Sequence, residues 1–204
     1  MRAPSAPVRI LAVAGVLALG LVGLVIREGQ ARAEGREVRL AMTGYDPRSL
    51  LSGHYVQFQL RQDLPPATRC PPQSDAGATV KDGWVALRPN GARHIAAGAA
   101  KTREAALRLA PVAVRGVLTC VPGLAPQRPG EDDRPVDVQT LLLDVGVDRI
   151  HLDQTQAEAM ERQLRRFDPD ATIEADALVS VGRDGKARLV GVVVDGKRTD
   201  LDWW

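Results

Sequence analysis

His54-Tyr55-Val56-Gln57-Phe58-Gln59-Leu60-Arg61 alternates an apolar-leaning set (His54, Val56, Phe58, Leu60) with a polar one (Tyr55, Gln57, Gln59, Arg61). A period of two is the signature of a strand with one face buried and the other turned to solvent. Immediately before it stands Tyr45-Asp46-Pro47-Arg48-Ser49-Leu50-Leu51-Ser52-Gly53. Asp46 can cap a short turn whose first position is held by Pro47, and Gly53 lets the backbone reverse into the following strand. Directly before that segment, Val38, Leu40 and Met42 alternate with Arg39 and Ala41 and stop at Thr43-Gly44. Two strands joined through a single helical turn make the nucleus of an antiparallel sheet.

Downstream, residues 80–87 around Trp84 read as a strand, Asn90-Gly91 as a turn and residues 93–99 as another strand, although the alanine-rich text from Ala96 to Leu109 also suits a helix. Residues 112–120 are mostly apolar and β-branched and read as a strand, and residues 136–145 resume strand text. The proline-rich segments 64–77 and 122–135 lack periodicity and read as loops. From Asp153 the period changes: Ala157, Met160, Leu164 and Phe167 share one helical face, Asp153 with Gln156 resembles a capping box, and Asp168-Pro169 ends the helix. Residues 173–181 and 187–194 are strands joined across Arg183-Asp184-Gly185-Lys186, whose Asp-Gly step signals a hairpin. The expected fold is α+β: a mainly antiparallel β domain with one amphipathic helix, preceded by a single N-terminal transmembrane helix.

That last element comes from Ile10 to Ile26, ILAVAGVLALGLVGLVI, which carries neither a charge nor a hydroxyl. As a helix it is about 26 Å long, just enough to span. Arg2, Arg9 and the terminal amine precede it, and a mixed set of Arg27, Glu28, Arg32, Glu34 and Arg36 follows, so the positive-inside bias puts the amino terminus in the cytoplasm. Two readings stand. An uncut anchor is favoured by the length of the apolar run and the charged spacer; a cleaved signal is offered by Ala31-Arg32-Ala33. The expected organisation is a cytoplasmic terminus (1–9), an anchor (10–26), a linker (27–37) and an exported domain (38–204). With 204 residues, 45% hydrophobic, the chain is long enough for one folded domain and not disordered; with 3% aromatic, its core must be aliphatic. A net charge of +2 with scattered basic residues excludes an electrostatic footprint for nucleic acid. Cys70 and Cys120 can form one disulfide in an exported chain, or stand as two free thiols.

No catalytic set emerges. His54, His94 and His151 lie far apart and match no metal-ligand spacing, so neither a metal nor a cofactor is expected. Arg48 can offer a planar fork to a carboxylate or phosphate, or simply hold the corner by pairing with a nearby acid; Tyr55 can bond a partner or cover its neighbours. A membrane-anchored hydrolase or other enzyme using Ser49 or Ser52, His54 or the acidic helix that holds Glu158 and Glu161, and a sensor binding a small anion at Arg48, are the competing functional readings.

Asp46, Pro47, Arg48, Leu50, Leu51, Gly53 and Tyr55 stand in the order and spacing of a family of bacterial membrane-anchored proteins named for the motif Gly-Asp-Tyr-x-x-Leu-x-Tyr, which the chain resembles. Gly146-Val147-Asp148-Arg149 is similar to a later Gly-Ile-Glu strand of that family. Departures are His54 for the motif's Asp, Phe58 for its Leu and Leu60 for its final Tyr. The resemblance implies a single anchored domain in the bacterial inner membrane, facing the periplasm, beside a multi-pass inner-membrane protein. Binding is then expected at Asp46, Arg48, Gly53, His54 and Tyr55.

Overall fold

The computed structural model describes residues 6–44, 55–65, 68–72, 83–124, 137–151 and 175–201. In chain order they form helix α1 (Ala6–Ala33), strands β1 (Arg36–Gly44), β2 (Tyr55–Asp63), β3 (Trp84–Asn90) and β4 (Arg93–Ala100), helix α2 (Arg103–Leu109), and strands β5 (Val112–Arg115), β6 (Val117–Leu124), β7 (Asp137–Asp144), β8 (Arg149–His151), β9 (Ala175–Val181), β10 (Ala187–Val194) and β11 (Lys197–Asp200). An eight-stranded sheet runs β11-β10-β9-β1-β2-β7-β6 with β8 also on β2, and a three-stranded sheet runs β4-β3-β5. Every strand pairing among the described residues is antiparallel. The fold is therefore α+β and mostly antiparallel, with a single N-terminal apolar helix, as the patterning implies.

Alternation along the strands places the core between the two sheets. Val38, Leu40 and Met42 of β1, Phe58 and Leu60 of β2, and Val179 and Val192 of β9 and β10 face Val85, Leu87, Val112 and Val114 of the small sheet. The other face of the small sheet is lined with alanines: Ala86, Ala100 and Ala113 meet Ala106 and Ala110 of α2 and its C-cap. Side chains one carbon long let the helix lie close against the strands, so the layers are helix, small sheet, core and large sheet. Thr102 caps α2 through its hydroxyl, which accepts from the Ala105 N–H at 3.2 Å.

Several expectations are corrected in detail. Residues 93–109 are not a choice between strand and helix: β4 ends at Ala100 and α2 begins at Arg103. Residues 112–120 are not one strand. The chain breaks at Gly116 and passes from the small sheet (β5) to the large one (β6), and a Cβ there would collide with the Asp144 carbonyl oxygen. The stretch read as a linker, 27–37, is the last part of α1, two residues of bend and the start of β1. Asp195-Gly196, with φ of 49° and 76°, forms a two-residue turn leading to β11, a strand beyond those expected, although its Asp-Gly step is the same signal as Asp184-Gly185. The amphipathic helix expected from Asp153 lies outside the described residues.

Cys70 and Cys120 are bonded, with Cα atoms 6.0 Å apart and 50 residues between them in sequence. Closing a loop of that size removes chain entropy worth about 4 kcal/mol from the unfolded state. The bridge pins the segment after β2 to β6, and the Gln139 amide oxygen lies against both sulfurs at 3.6 and 3.7 Å.

Candidate functional site

Of the residues singled out for binding, Asp46, Arg48, Gly53 and His54 lie outside the described residues. Tyr55 opens β2, opposite His151 of β8 in the ladder. His94 lies in β4 and His151 in β8, on different sheets. Among the described residues no group of three or more His, Cys, Asp or Glu could hold a metal ion.

Two charged clusters that sequence reasoning missed are built by the fold. The first joins the sheets. Asp176 sits in β9, whose seven residues are all buried, and its side chain is fully enclosed. Arg39 of β1 places Nε and Nη2 on Asp176 Oδ2, both at 2.6 Å, and Arg93 of β4 places Nε on Oδ1 at 2.6 Å. A buried carboxylate needs such charge-assisted donors, because unpaired it would cost several kcal/mol. Next to it, Gln62 of β2 donates to the His94 carbonyl and accepts from the Ala96 N–H, both at 2.9 Å, clipping the large sheet to β4 a second time. Burial and the nearby Arg36 charge hold the His94 ring below its ordinary pKa, so it is neutral where its Nδ1 accepts from the Arg39 N–H. The arrangement is structural cement between layers.

The second cluster ties α1 to the domain. The helix is long and apolar enough to cross a membrane, and its apolar side chains from Val8 to Ile26 are exposed. Its last turns are not loose. Arg188 of β10, whose side chain is 8% exposed, reaches Glu28 of α1 through Nε at 2.5 Å and Nη2 at 3.0 Å. The same guanidinium reaches both oxygens of Asp184, at 3.1 and 2.9 Å. Four residues up the helix, the Arg32 carbonyl accepts from Ser180 Oγ at 2.6 Å, and the Arg32 guanidinium donates to the Leu201 carbonyl at 2.6 Å. Arg188 holds the Asp184 carboxyl down at about 2, against an ordinary 3.8, with the Lys186 N–H and the charges of Arg188 and Lys186 adding to the effect against the opposing cost of burial. The hairpin turn is itself fixed: the Arg115 N–H donates to the Gly185 carbonyl at 2.8 Å, Arg115 Nε donates to the Asp184 carbonyl at 3.0 Å, and the Arg115 guanidinium lies 5.1 Å from the centre of the Trp84 ring. Chemically this is a mechanical joint: an apolar helix locked in orientation against a rigid sheet.

A signal for both clusters was present. Asp176 is the one charged residue in ADALVSV and Arg188 the one in ARLVGVVV. A charge inside text that otherwise reads as core implies a partner elsewhere.

No curated protein and no solved structure matches the chain. A family profile described as GDYXXLXY protein matches residues 17–192, from within α1 to β10, so the match takes in the later part of the apolar helix, the small sheet, most of the large sheet and the Glu28–Arg188 pair. The chain belongs to the GDYXXLXY protein family.

Proposed function

We propose that this protein is a single-pass bacterial inner-membrane protein whose domain faces the periplasm and serves as an accessory, interaction subunit of a multi-pass membrane partner. The observation that carries the reading is the joint between α1 and the β9–β10 hairpin. Large apolar side chains along the helix, such as Leu11, Val16 and Leu19, are 71%, 71% and 73% exposed, a surface that water does not tolerate and lipid or a membrane-embedded partner covers. Cleavage after Ala33 would remove Glu28 from Arg188 and the Arg32 carbonyl from Ser180, leaving a nearly enclosed guanidinium with half its carboxylate partners. These contacts support retention of the helix. Positive residues ahead of the apolar run support the outward orientation of the domain. The docking segment we propose runs from Asp46 to Phe58: a guanidinium such as that of Arg48 matches a carboxylate as a planar fork, and Tyr55 to Phe58 belong to β2.

The test is affinity purification of the carboxy-terminally tagged protein from membranes in mild detergent, with mass spectrometry of its amino terminus and its companions. An intact terminus and one abundant multi-pass companion that is lost on Arg48→Ala or Tyr55→Ala are expected. A terminus at Glu34, with no companion, would overturn the proposal.

A further inference from the structure

We infer that the tip of the β9–β10 hairpin, carrying Arg183 and Lys186, lies on anionic lipid headgroups at the foot of α1. The inference rests on the membrane reading above and adds the surface that the domain presents to the bilayer.

Heights along α1 carry the argument. The apolar run ends at Ile26, and each helical residue rises about 1.5 Å. The hairpin touches the helix at three levels: Ser180 at the Arg32 carbonyl, the Gly182 backbone beside the Ala31 carbonyl, and Asp184 with Arg188 at Glu28. It therefore runs down the helix from Ser180 toward its tip, where Asp184 shares the Arg188 guanidinium with Glu28, and Glu28 stands about 3 Å beyond the last apolar residue. The headgroup layer on each side of a bilayer is roughly 5–7 Å deep, so that level falls inside it. A 26 Å run, being slightly shorter than a hydrocarbon core of roughly 30 Å, draws the tip closer still.

Charge at this level is one-sided. Arg27, Arg115, Arg183, Lys186 and Arg188 gather there, and the two acids among them, Glu28 and Asp184, are both held by Arg188. Arg183 and Lys186 are exposed, and Arg115 lies exposed over the half-buried Trp84 ring, an amphipathic pairing suited to an interface. The turn needs no ordering on contact. Lys186 O accepts from the Gly182 N–H, Gly182 O from the Gly185 N–H, and Asp184 Oδ1 from the Lys186 N–H at 3.0 Å. A pre-formed turn meets the surface without loss of backbone freedom.

The experiment uses the full chain in lipid nanodiscs made of phosphatidylcholine alone or with about a third phosphatidylglycerol, followed by hydrogen–deuterium exchange at amides 182–186. A basic side chain at an anionic surface favours contact about fivefold, so the covered-to-open ratio rises about 25-fold for the pair in anionic discs. The double variant Arg183→Glu, Lys186→Glu, at two exposed positions, abolishes the difference while its thermal midpoint stays that of the parent. Equal exchange in the two lipids, with the chain still in the discs, would overturn the headgroup contact. Slowing that is the same in both lipids and indifferent to the double variant overturns it as well. A chain that does not enter discs of either composition refutes the membrane reading itself.

Discussion

Replacing Asp176 with Asn tests whether the two sheets are held together by one buried charge. The side chain keeps its volume but loses its charge, and its amide nitrogen meets one of the arginine donors that the carboxylate satisfied at 2.6 Å. Breaking a buried ion pair by removing one partner costs about 3–5 kcal/mol. Arg39 and Arg93 are 27% and 32% exposed, so water reaches the guanidinium that loses its carboxylate oxygen and the cost falls to about 2–3 kcal/mol. With a urea slope of roughly 2 kcal/mol/M, the unfolding midpoint in mild detergent drops by about 1–1.5 M. Asp200→Asn is the control: Asp200 and its partner Arg198 are 60% and 48% exposed, and the loss stays below about 1 kcal/mol. A midpoint for Asp176→Asn within error of the control would refute the reasoning. The triple variant Arg39→Met, Arg93→Met, Asp176→Leu recovers much of the loss, because apolar residues of similar volume need no counter-charge.

Gly185 has a φ of 78° and a Cβ there would strike the Trp84 ring, whereas Gly196 has a φ of 76° and open space around it. Gly185→Ala therefore lowers stability by about 2–4 kcal/mol and Gly196→Ala by about 1 kcal/mol, and calorimetry that finds the two equal removes the packing contribution. Asp184 has a folded pKa of about 2 against an ordinary 3.8, so its contribution is complete above 3.8 and vanishes as pH falls through about 2. Urea titrations across that window show a shallower loss of stability in Asp184→Asn than in the parent, and parallel slopes would contradict the pairing with Arg188.

The sheet was legible because β1, β2 and β10 carry period-two patterns or β-branched runs bounded by turn residues, which local sterics convert into strands directly. The break at Gly116 was not, since 112–120 reads as strand text on both sides of Arg115-Gly116 and only the approach of the Asp144 carbonyl shows why the chain must change sheets. The joints were the hardest to see. Asp176 lies 137 residues from Arg39 and 83 from Arg93, and Arg188 lies 160 from Glu28, so no local pattern connects them. What could be read was the anomaly of Asp176 and Arg188 in buried strand text. Asp46, Arg48, Gly53 and His54 stand out by residue type and family likeness, and they lie outside the described residues.

An unbroken helix from the apolar run into the joint gives the domain a fixed azimuth as well as a fixed height. Glu28, Ala31 and Arg32 follow Ile26 without a hinge, so one residue inserted between Ile26 and Glu28 swings the whole sheet by about 100° around the helix axis. Residue count between span and joint thus selects which side of the domain confronts a neighbouring helix. Any twist of the apolar segment arrives at the sheet as a rotation of the same size, undamped by a tether.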